Sequence, residues 1–518
     1  MIQDGVIKNV VVVGGGTAGW LTASVLAADH CAAHPDGINV TLVESAHVPI
    51  LGVGEGTWPS LRDTLRRIGV SETEFVRRCY ASFKQGSRFN GWRTGDPDEY
   101  YFHPFEAPPS ADKADALSLW RQAPGGLSYA EAVNHQAKVC LAGLAPKQAG
   151  TPEFAAVTNY GYHLDAPAFA EFLSEHATCQ LGVRHIVDDV SGCARLDNGA
   201  IASVQTKQHG PINADLVVDC TGSRALLIGD TMGSALTDVS DVLFNDRALA
   251  LHIPYHDGFS PIMSQTNGTA LEAGWVWDIG LQSRRGVGYV HSSQHIDEPA
   301  ARAGLNRYLA RLGSPEMAHD ARLISFQSAY RVKPWIKNVV AVGMSAGFVE
   351  PLEASAIVMI ELSATMISDT LPPHRSVMEK AATRFNQRFS YRWSRIVDFL
   401  KLHYLFSERT EPYWRDHRNP ETWTPRLREL VEQWRYQPPS REDFTQSLEI
   451  FPASSYTYVM YGMGFETQDR STRRRNDDPS VLRQLFDEVQ AKANRYAAGL
   501  PTNRELIDHI ISHGLSKI

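Results

Sequence analysis

The chain has 518 residues and 43% hydrophobic content, enough to bury two to four domain-sized units or one large α/β core with insertions. Its formal net charge of −8 argues against a nucleic-acid partner, which favours a basic surface. Six cysteines without a CxxC pair argue against a zinc or redox-dithiol site, and no apolar run is long enough to span a membrane. The expectation is a cytoplasmic protein with reduced thiols, no metal and no membrane contact.

Ile7 to Val13 (IKNVVVV) is a short, valine-rich run of the kind that forms a buried parallel strand. Gly14-Gly15-Gly16-Thr17-Ala18-Gly19 follows at once with GxGxxG spacing, then a helical stretch, TAGWLTASVLAAD. A second strand, INVTLVE, ends in Glu44, 25 residues after Gly19. Gly14 makes the tight turn, Gly16 lets the backbone approach a pyrophosphate, and Gly19 allows close helix packing. The helix N-terminus at Thr17 and Ala18 then faces the phosphates. Glu44 can accept hydrogen bonds from a ribose diol. Strand, glycines, helix, strand and acid in this order predict dinucleotide binding.

Two later segments select FAD over NAD. ADLVVDCTGSRALL (214–227) is a strand ending in Thr221-Gly222, where the chain recrosses a dinucleotide. VVAVGMSAGF (339–348), with Met344 and Gly347, is a strand and turn of the kind set against the ribityl chain. Val190 completes the expected cofactor contacts. No second GxGxxG appears, so no dedicated NAD(P)H domain is expected, and reduced flavin comes from elsewhere or nicotinamide binds transiently.

Other segments point away from the flavin ring. Residues 346–361 read AGFVEPLEASAIVMIE, which puts Glu353 in a buried position where a strand hands over to a helix. Taken alone, Glu353 equally fits a carboxylate satisfying a helix dipole. Lys84, in SFKQGSRFNGW, would by itself be an ordinary exposed lysine. Trp275 and Trp277 alternate on a strand in GWVWDIGL, so both indoles face one side and form a wall. His103 and Phe105 in YYFHPFE are candidate substrate-stacking residues or plain core. Residues 105–158, rich in Ala, Pro and Gly, are expected to include a mobile loop. The tail from about residue 466 reads as a polar loop followed by helices.

Together these segments resemble the flavin-dependent halogenases of the tryptophan-halogenase family, from GGGTAGW to about residue 465. GVGEGT (52–57), with Val53 and Gly54, resembles the family's flavin-strap segment, usually GVGEAT. SFKQG (82–86) resembles the segment around its catalytic lysine, GWVWDIGL (274–281) its WxWxIP signature, and GFVEPLEAS (347–355) the turn carrying its catalytic glutamate. The resemblance implies an α/β fold: an FAD-binding box over residues 1–380 and a mainly helical module over 381–518 that completes the substrate pocket. It further implies that FADH2 from a diffusing flavin reductase, O2 and chloride or bromide generate hypohalous acid, with halide held near Ser355 and Ala356. Lys84 then passes the electrophilic halogen to an electron-rich ring, and Glu353 stabilises the resulting cation and takes its proton. Trp275 and Trp277 separate flavin from substrate, and the enzyme is a monomer or homodimer.

The sequence departs from the family in three places. Gly280 stands where proline is usual, which predicts a local loop change. Ala354 and Ala356 replace the serine and glycine of the familiar Glu-Ser-Thr-Gly turn, which bears on halide preference and turnover. No tyrosine-rich lid for an amino-acid substrate is found, so indole fits better than free tryptophan. The alternatives are a single-component FAD aromatic hydroxylase and a flavin-binding sensor.

Overall fold

The computed structural model describes residues 5–48, 52, 54–109, 115–314, 316–446, 449–468 and 478–517. The chain divides into two compact units, each assembled from three stretches. One comprises Met1–Ala81, Leu164–Asp238 and Gln327–Trp393; the other comprises Ser82–His163, Val239–Phe326 and Ser394–Ile518. The units do not follow the expected contiguous division at residue 380, because strand pairing joins segments far apart in sequence.

The first unit is built on a six-stranded sheet in the order 335–336, 339–341, 216–219, 9–13, 39–44, 184–187. All neighbours run parallel except the edge pair 335–336 and 339–341. Val10 to Val13 are buried in the middle of this sheet, as expected of a parallel strand covered on both faces. The helix Thr17–Asp29 packs against the helices Ala166–Cys179 and Ser355–Asp369. The second of these helices starts where Asp165 accepts a hydrogen bond from the Ala168 N–H at 3.0 Å, with Pro167 in its first turn. Two three-stranded antiparallel sheets complete the unit: 190–195, 201–206 and 210–213, and 236–238, 329–331 and 347–348.

The second unit contains a seven-stranded sheet in the order 322–325, 247–254, 284–291, 274–280, 266–271, 86–90, 100–104. Only the pair 266–271 and 86–90 is parallel. Its C-terminal stretch is helical, as the sequence predicts, with Pro425–Trp434, Ala453–Gly462, Pro479–Gly499 and Asn503–His513 the longer helices that begin there. The expected module is therefore not helical alone: its helices share a unit with the large sheet.

The stretch 105–158, expected to include a loop, also holds helical structure. Three short helices, Ala116–Gln122, Tyr129–Val133 and Gln136–Leu141, bury Leu117, Tyr129 and Val133 against Tyr458, Tyr461 and Leu482. The signal was present in SYAE, a capping box in which Ser128 and Glu131 satisfy each other's backbone N–H groups. Nor does Gly280 produce a loop. Gly280 is the last residue of the strand Gly274–Gly280, paired with Arg285, and a β-carbon there would lie 2.8 Å from the Tyr255 hydroxyl. The packed tyrosine accounts for the missing side chain. No helix among the described residues is long and apolar enough to cross a membrane.

One buried acid makes the first unit sensitive to pH. Glu361 accepts hydrogen bonds from Thr64 Oγ1 at 2.6 Å and Ser60 Oγ at 3.2 Å. Burial pushes its carboxyl up to about 7, against the pull of those two hydroxyls. Between the unfolded value of 4.5 and 7 the folded chain holds a proton that the unfolded chain has lost, so Glu361 subtracts stability as pH rises through that window. Glu361→Gln is expected to remove this slope, worth about 3 kcal/mol at its limit. Denaturant unfolding of both proteins from pH 4.5 to 8 checks it: parallel stability curves would refute the assignment.

Candidate active site

The glycine loop of the first unit is defined by backbone approaches that leave no room for side chains. Gly14 has φ +112°, and a β-carbon on it would sit 2.2 Å from the Cys220 carbonyl oxygen. On Gly19 a β-carbon would meet the Gly14 carbonyl oxygen at 1.8 Å. These are the turn and helix-packing roles expected of the two residues. Gly16 has no protein atom within 4 Å of that position, so the backbone there is open to a ligand. The helix that follows has no side-chain cap and no acid in its first turn, which leaves the N–H groups around Thr17 and Ala18 for an anion.

Gly15, assigned no role above, is the most constrained of the loop. A β-carbon there would lie 1.5 Å from Glu44 Oε2. Glu44 thus reaches across the loop, and its other oxygen pairs with His185 Nε2 at 2.6 Å. The His185 ring in turn packs edge-on against Trp20, with centroids 4.9 Å apart. Sequence reading missed His185 because its partner lies on a neighbouring strand 141 residues away.

The remaining cofactor candidates of this unit lie on several separate segments. Thr221 donates to Asp219 Oδ1 at 2.6 Å, and Asp219 Oδ2 accepts from the N–H groups of Leu227 and Ile228. Gly222 follows with φ +67° and open space around it. Met344 lies in the turn Gly343–Ser345, where a β-carbon on Gly343 would come within 2.7 Å of Ala18 Cβ. That contact joins the two predicted flavin segments. Gly347 pairs with Tyr330 and has no room for a side chain. Gly54 opens the short strand Gly54–Gly56, and Val190 starts a strand and packs on the core. Val53 lies outside the described residues. These glycines and bare amides fit a dinucleotide.

Glu353 is 4% exposed, immediately before the helix Ser355–Asp369. Between them Ala354 adopts the left-handed region at φ +53°, which costs a residue with a β-carbon about 1–2 kcal/mol. Such local strain is characteristic of functional turns. No side chain caps the helix, so the first-turn N–H groups at Ser355 and Ala356 carry the partial positive charge that a halide would use. The Glu353 carbonyl accepts a hydrogen bond from Trp58 Nε1 at 2.7 Å. Trp58 directly follows GVGEGT, and this bond ties that segment to the glutamate turn.

In the second unit Lys84 is 1% exposed, at the end of the strand Ser82–Lys84. That strand pairs antiparallel with 161–163. Asn503 Nδ2 donates to the Phe83 carbonyl at 3.0 Å, and the Gln85 N–H donates to Ser264 at 2.7 Å. The Gln85 side chain bonds the Leu144 carbonyl and Thr158. These bonds fix the backbone on either side of the lysine. Lys84 Nζ lies 5.4 Å from the centroid of the Phe105 ring, so a predicted substrate residue and the predicted lysine do meet. His103 is used differently: its Nε2 bonds Ser455 Oγ at 2.9 Å and its ring packs on Phe399 and Tyr458.

His163 is a second residue that sequence reading missed. It is fully buried, its Nε2 bonds Thr266 Oγ1 at 2.8 Å, and its Nδ1 has no partner. Burial, and then the charge of nearby Lys84, hold the imidazole well below its ordinary value and therefore neutral. Trp275 is buried beside Trp92, with centroids 6.3 Å apart. Trp277 lies on Gly288, where a β-carbon would fall 2.0 Å from the indole. Both tryptophans stay on one strand, as read from the sequence.

Comparison with known proteins accounts for this combination. Residues 9–477 match the family profile described as tryptophan halogenase. The chain belongs to the tryptophan halogenase family. It is an enzyme of the flavin-dependent halogenase class. It is 32% identical to tryptophan 6-halogenase SttH of Streptomyces toxytricini over 96% of this chain and 97% of the relative. A crystal structure of a tryptophan halogenase from Shewanella frigidimarina is 44% identical, with TM-score 0.95 and complete coverage of both chains. BrvH, a flavin-dependent halogenase from Brevundimonas sp. BAL3, superposes with TM-score 0.83 at 28% identity, covering 97% of this chain and 99% of that one.

The halogenase cradle makes one residue decisive. Gly15→Ala forces Glu44 off the loop, so flavin affinity is expected to fall by about 10-fold, near 1.4 kcal/mol. Fluorescence titration with FAD measures it, and an unchanged dissociation constant would show that Glu44 moves aside at no cost.

Proposed function

We propose that this enzyme halogenates an electron-rich aromatic ring of the indole type, using reduced FAD, O2 and chloride or bromide. Reduced flavin, supplied by a separate reductase, provides with O2 the oxidising equivalent that converts halide to hypohalous acid. Lys84 holds the oxidised halogen by hydrogen bond or as a haloamine. The ring attacks it, a carbon–halogen bond forms, and the halogen–oxygen or halogen–nitrogen bond breaks. Glu353 stabilises the ring cation and accepts the displaced proton; hydroxide leaves as water with a proton from the Lys84 amine group, or, on the haloamine route, water has already left as the nitrogen–halogen bond formed and the freed amine nitrogen takes up the proton.

The observation that carries this reading is the buried Lys84, fixed on both sides by backbone hydrogen bonds and facing Phe105, in a chain of this family. An amine held in the interior at a fixed position can serve as a hydrogen-bond donor or a nucleophile. The absence of a second GxGxxG supports an outside source of reduced flavin. Relatives are named for tryptophan. Indole without its amino-acid arm is favoured here by the fate of the C-terminal tyrosines. Tyr456, Tyr458 and Tyr461 lie on the helix Ala453–Gly462 and are all buried. Tyr458 bonds the Glu106 carbonyl at 3.0 Å and Tyr461 bonds Thr467 at 3.1 Å, so the hydroxyls of these two are used within the fold.

Incubation with FAD, a flavin reductase, NADH, O2 and bromide or chloride, read by mass spectrometry over indoles, phenols and free tryptophan, is expected to give a halogenated indole. Lys84→Ala abolishes it. Glu353→Gln lowers the rate by about 100-fold or more, the range for a lost proton acceptor, and leaves FAD affinity unchanged. Full halogenation by Lys84→Ala sinks the assignment. Hydroxylated product with rapid NADPH oxidation and no reductase identifies the single-component hydroxylase instead.

A further inference from the structure

The strand Ser82–Lys84 lies at the edge of its sheet: 161–163 pairs with one side of it, and no strand covers the other among the described residues. A three-residue edge strand keeps its place only if its backbone groups find further partners. Here a side chain supplies one. Asn503 Nδ2 donates to the Phe83 carbonyl at 3.0 Å and to the Met263 carbonyl at 3.3 Å. The Gln85 N–H donates to the Ser264 carbonyl at 2.7 Å. Phe83, Asn503, Met263, Ser264 and Gln85 thus close a ring of covalent and hydrogen bonds, and the remaining member of that ring is Lys84.

Asn503 is itself firmly held. It is fully buried, and with Leu506, Ile507 and Ile510 it forms a buried stripe at helical spacing on the helix Asn503–His513. Its backbone N–H donates to the Gly143 carbonyl at 2.9 Å, the Ala145 N–H donates to the Pro501 carbonyl at 2.9 Å, and Leu144 and Thr502 form an antiparallel bridge. The Leu144 carbonyl also accepts from Gln85 Nε2 and from Ser264 Oγ, both at 2.7 Å. The segment that anchors Asn503 is therefore tied to the same two residues that close the ring. Asn503 Oδ1 is buried with no hydrogen-bond partner, and reversing the amide would set that oxygen against two carbonyl oxygens. The side chain serves as a donor alone.

We propose that Asn503 is a positioning residue for Lys84. Its two N–H bonds hold the strand Ser82–Lys84 against 263–264 and so keep the amine 5.4 Å from the centroid of the Phe105 ring. The inference rests on the reading of Lys84 as the group that holds the oxidised halogen. A reacting group displaced by about 1 Å can cost about 100-fold in rate.

Asn503→Leu removes both donors at similar volume. Its kcat for halogenation of the indole that the wild-type chain converts best is expected to fall about 100-fold. Its FAD dissociation constant is expected to stay unchanged, because Asn503 and Lys84 belong to the second unit and the glycine loop to the first. Thr502→Ala removes the cap of the same helix without removing a bond to Phe83. It is expected to lower the Tm and leave kcat unchanged. A crystal structure of Asn503→Leu reads the geometry without any activity, and Lys84 Nζ is expected to leave its place beside Phe105. Full rate in Asn503→Leu overturns the proposal, as does an unmoved Lys84 or an equal loss of kcat in Thr502→Ala. If Asn503→Leu does not fold, Asn503→Ala replaces it, with the same expected loss and the same overturning result. Full halogenation by Lys84→Ala instead removes the reading of the lysine, and the crystal structure still decides whether Asn503 places it.

Discussion

The first unit depends on how closely its backbone segments approach one another around the glycine loop. Gly14 against Cys220, Gly19 against the Gly14 carbonyl, and Gly343 against Ala18 are contacts at which a β-carbon would sit 1.8 to 2.7 Å from another atom. They draw the first strand, the first helix, the strand 216–219 and the turn after 339–341 to one end of the sheet. The same closeness exposes the amides that a pyrophosphate needs. Glu44 completes the arrangement by crossing over Gly15 to His185. Ligand cradle and core packing are here a single constraint, since a side chain that disturbed one would disturb the other.

The second unit solves a different problem, that of keeping a lysine in the interior. A short strand alone would not hold Lys84. Its neighbours are clamped by Asn503, Ser264, Leu144 and Thr158, residues drawn from four separate parts of the chain. A neutral His163 nearby adds no competing positive charge. The aromatic wall is equally packed: Trp275 and Trp277 lean on Trp92 and on the bare face of Gly288. Rigid surroundings of this kind hold the Lys84 side chain at one position.

Buried polar groups in this protein differ in how the fold accommodates them. Asp219 and Asn338 are satisfied within the fold, Asp219 by four hydrogen bonds and Asn338 by three. Glu361 accepts hydrogen bonds from Thr64 and Ser60, yet burial raises its carboxyl to about 7.

Much of the first unit was legible in the sequence because its information is local. Val10 to Val13, the glycine spacing, the helix and Glu44 lie within one short stretch, and each glycine answers to a steric rule that spacing alone expresses. The Glu353 turn was legible for the same reason, since a buried acid at a helix start is written in consecutive residues. The alternation of Trp275 and Trp277 likewise followed from strand period. What remained hidden is set by contacts between distant segments. His185 meets Glu44, Trp58 meets the Glu353 carbonyl, His163 lies near Lys84, and Tyr255 fills the space at Gly280 only because sheets join residues far apart in the chain. The helices within 105–158 were obscured by composition, although the Ser128–Glu131 capping box marked one of them. By itself the sequence determined the chemistry of the dinucleotide loop, because glycine spacing is a covalent fact. Only the tertiary structure decided which cations are buried and what faces them, because burial is a property of the whole packing and not of any residue's neighbours in sequence.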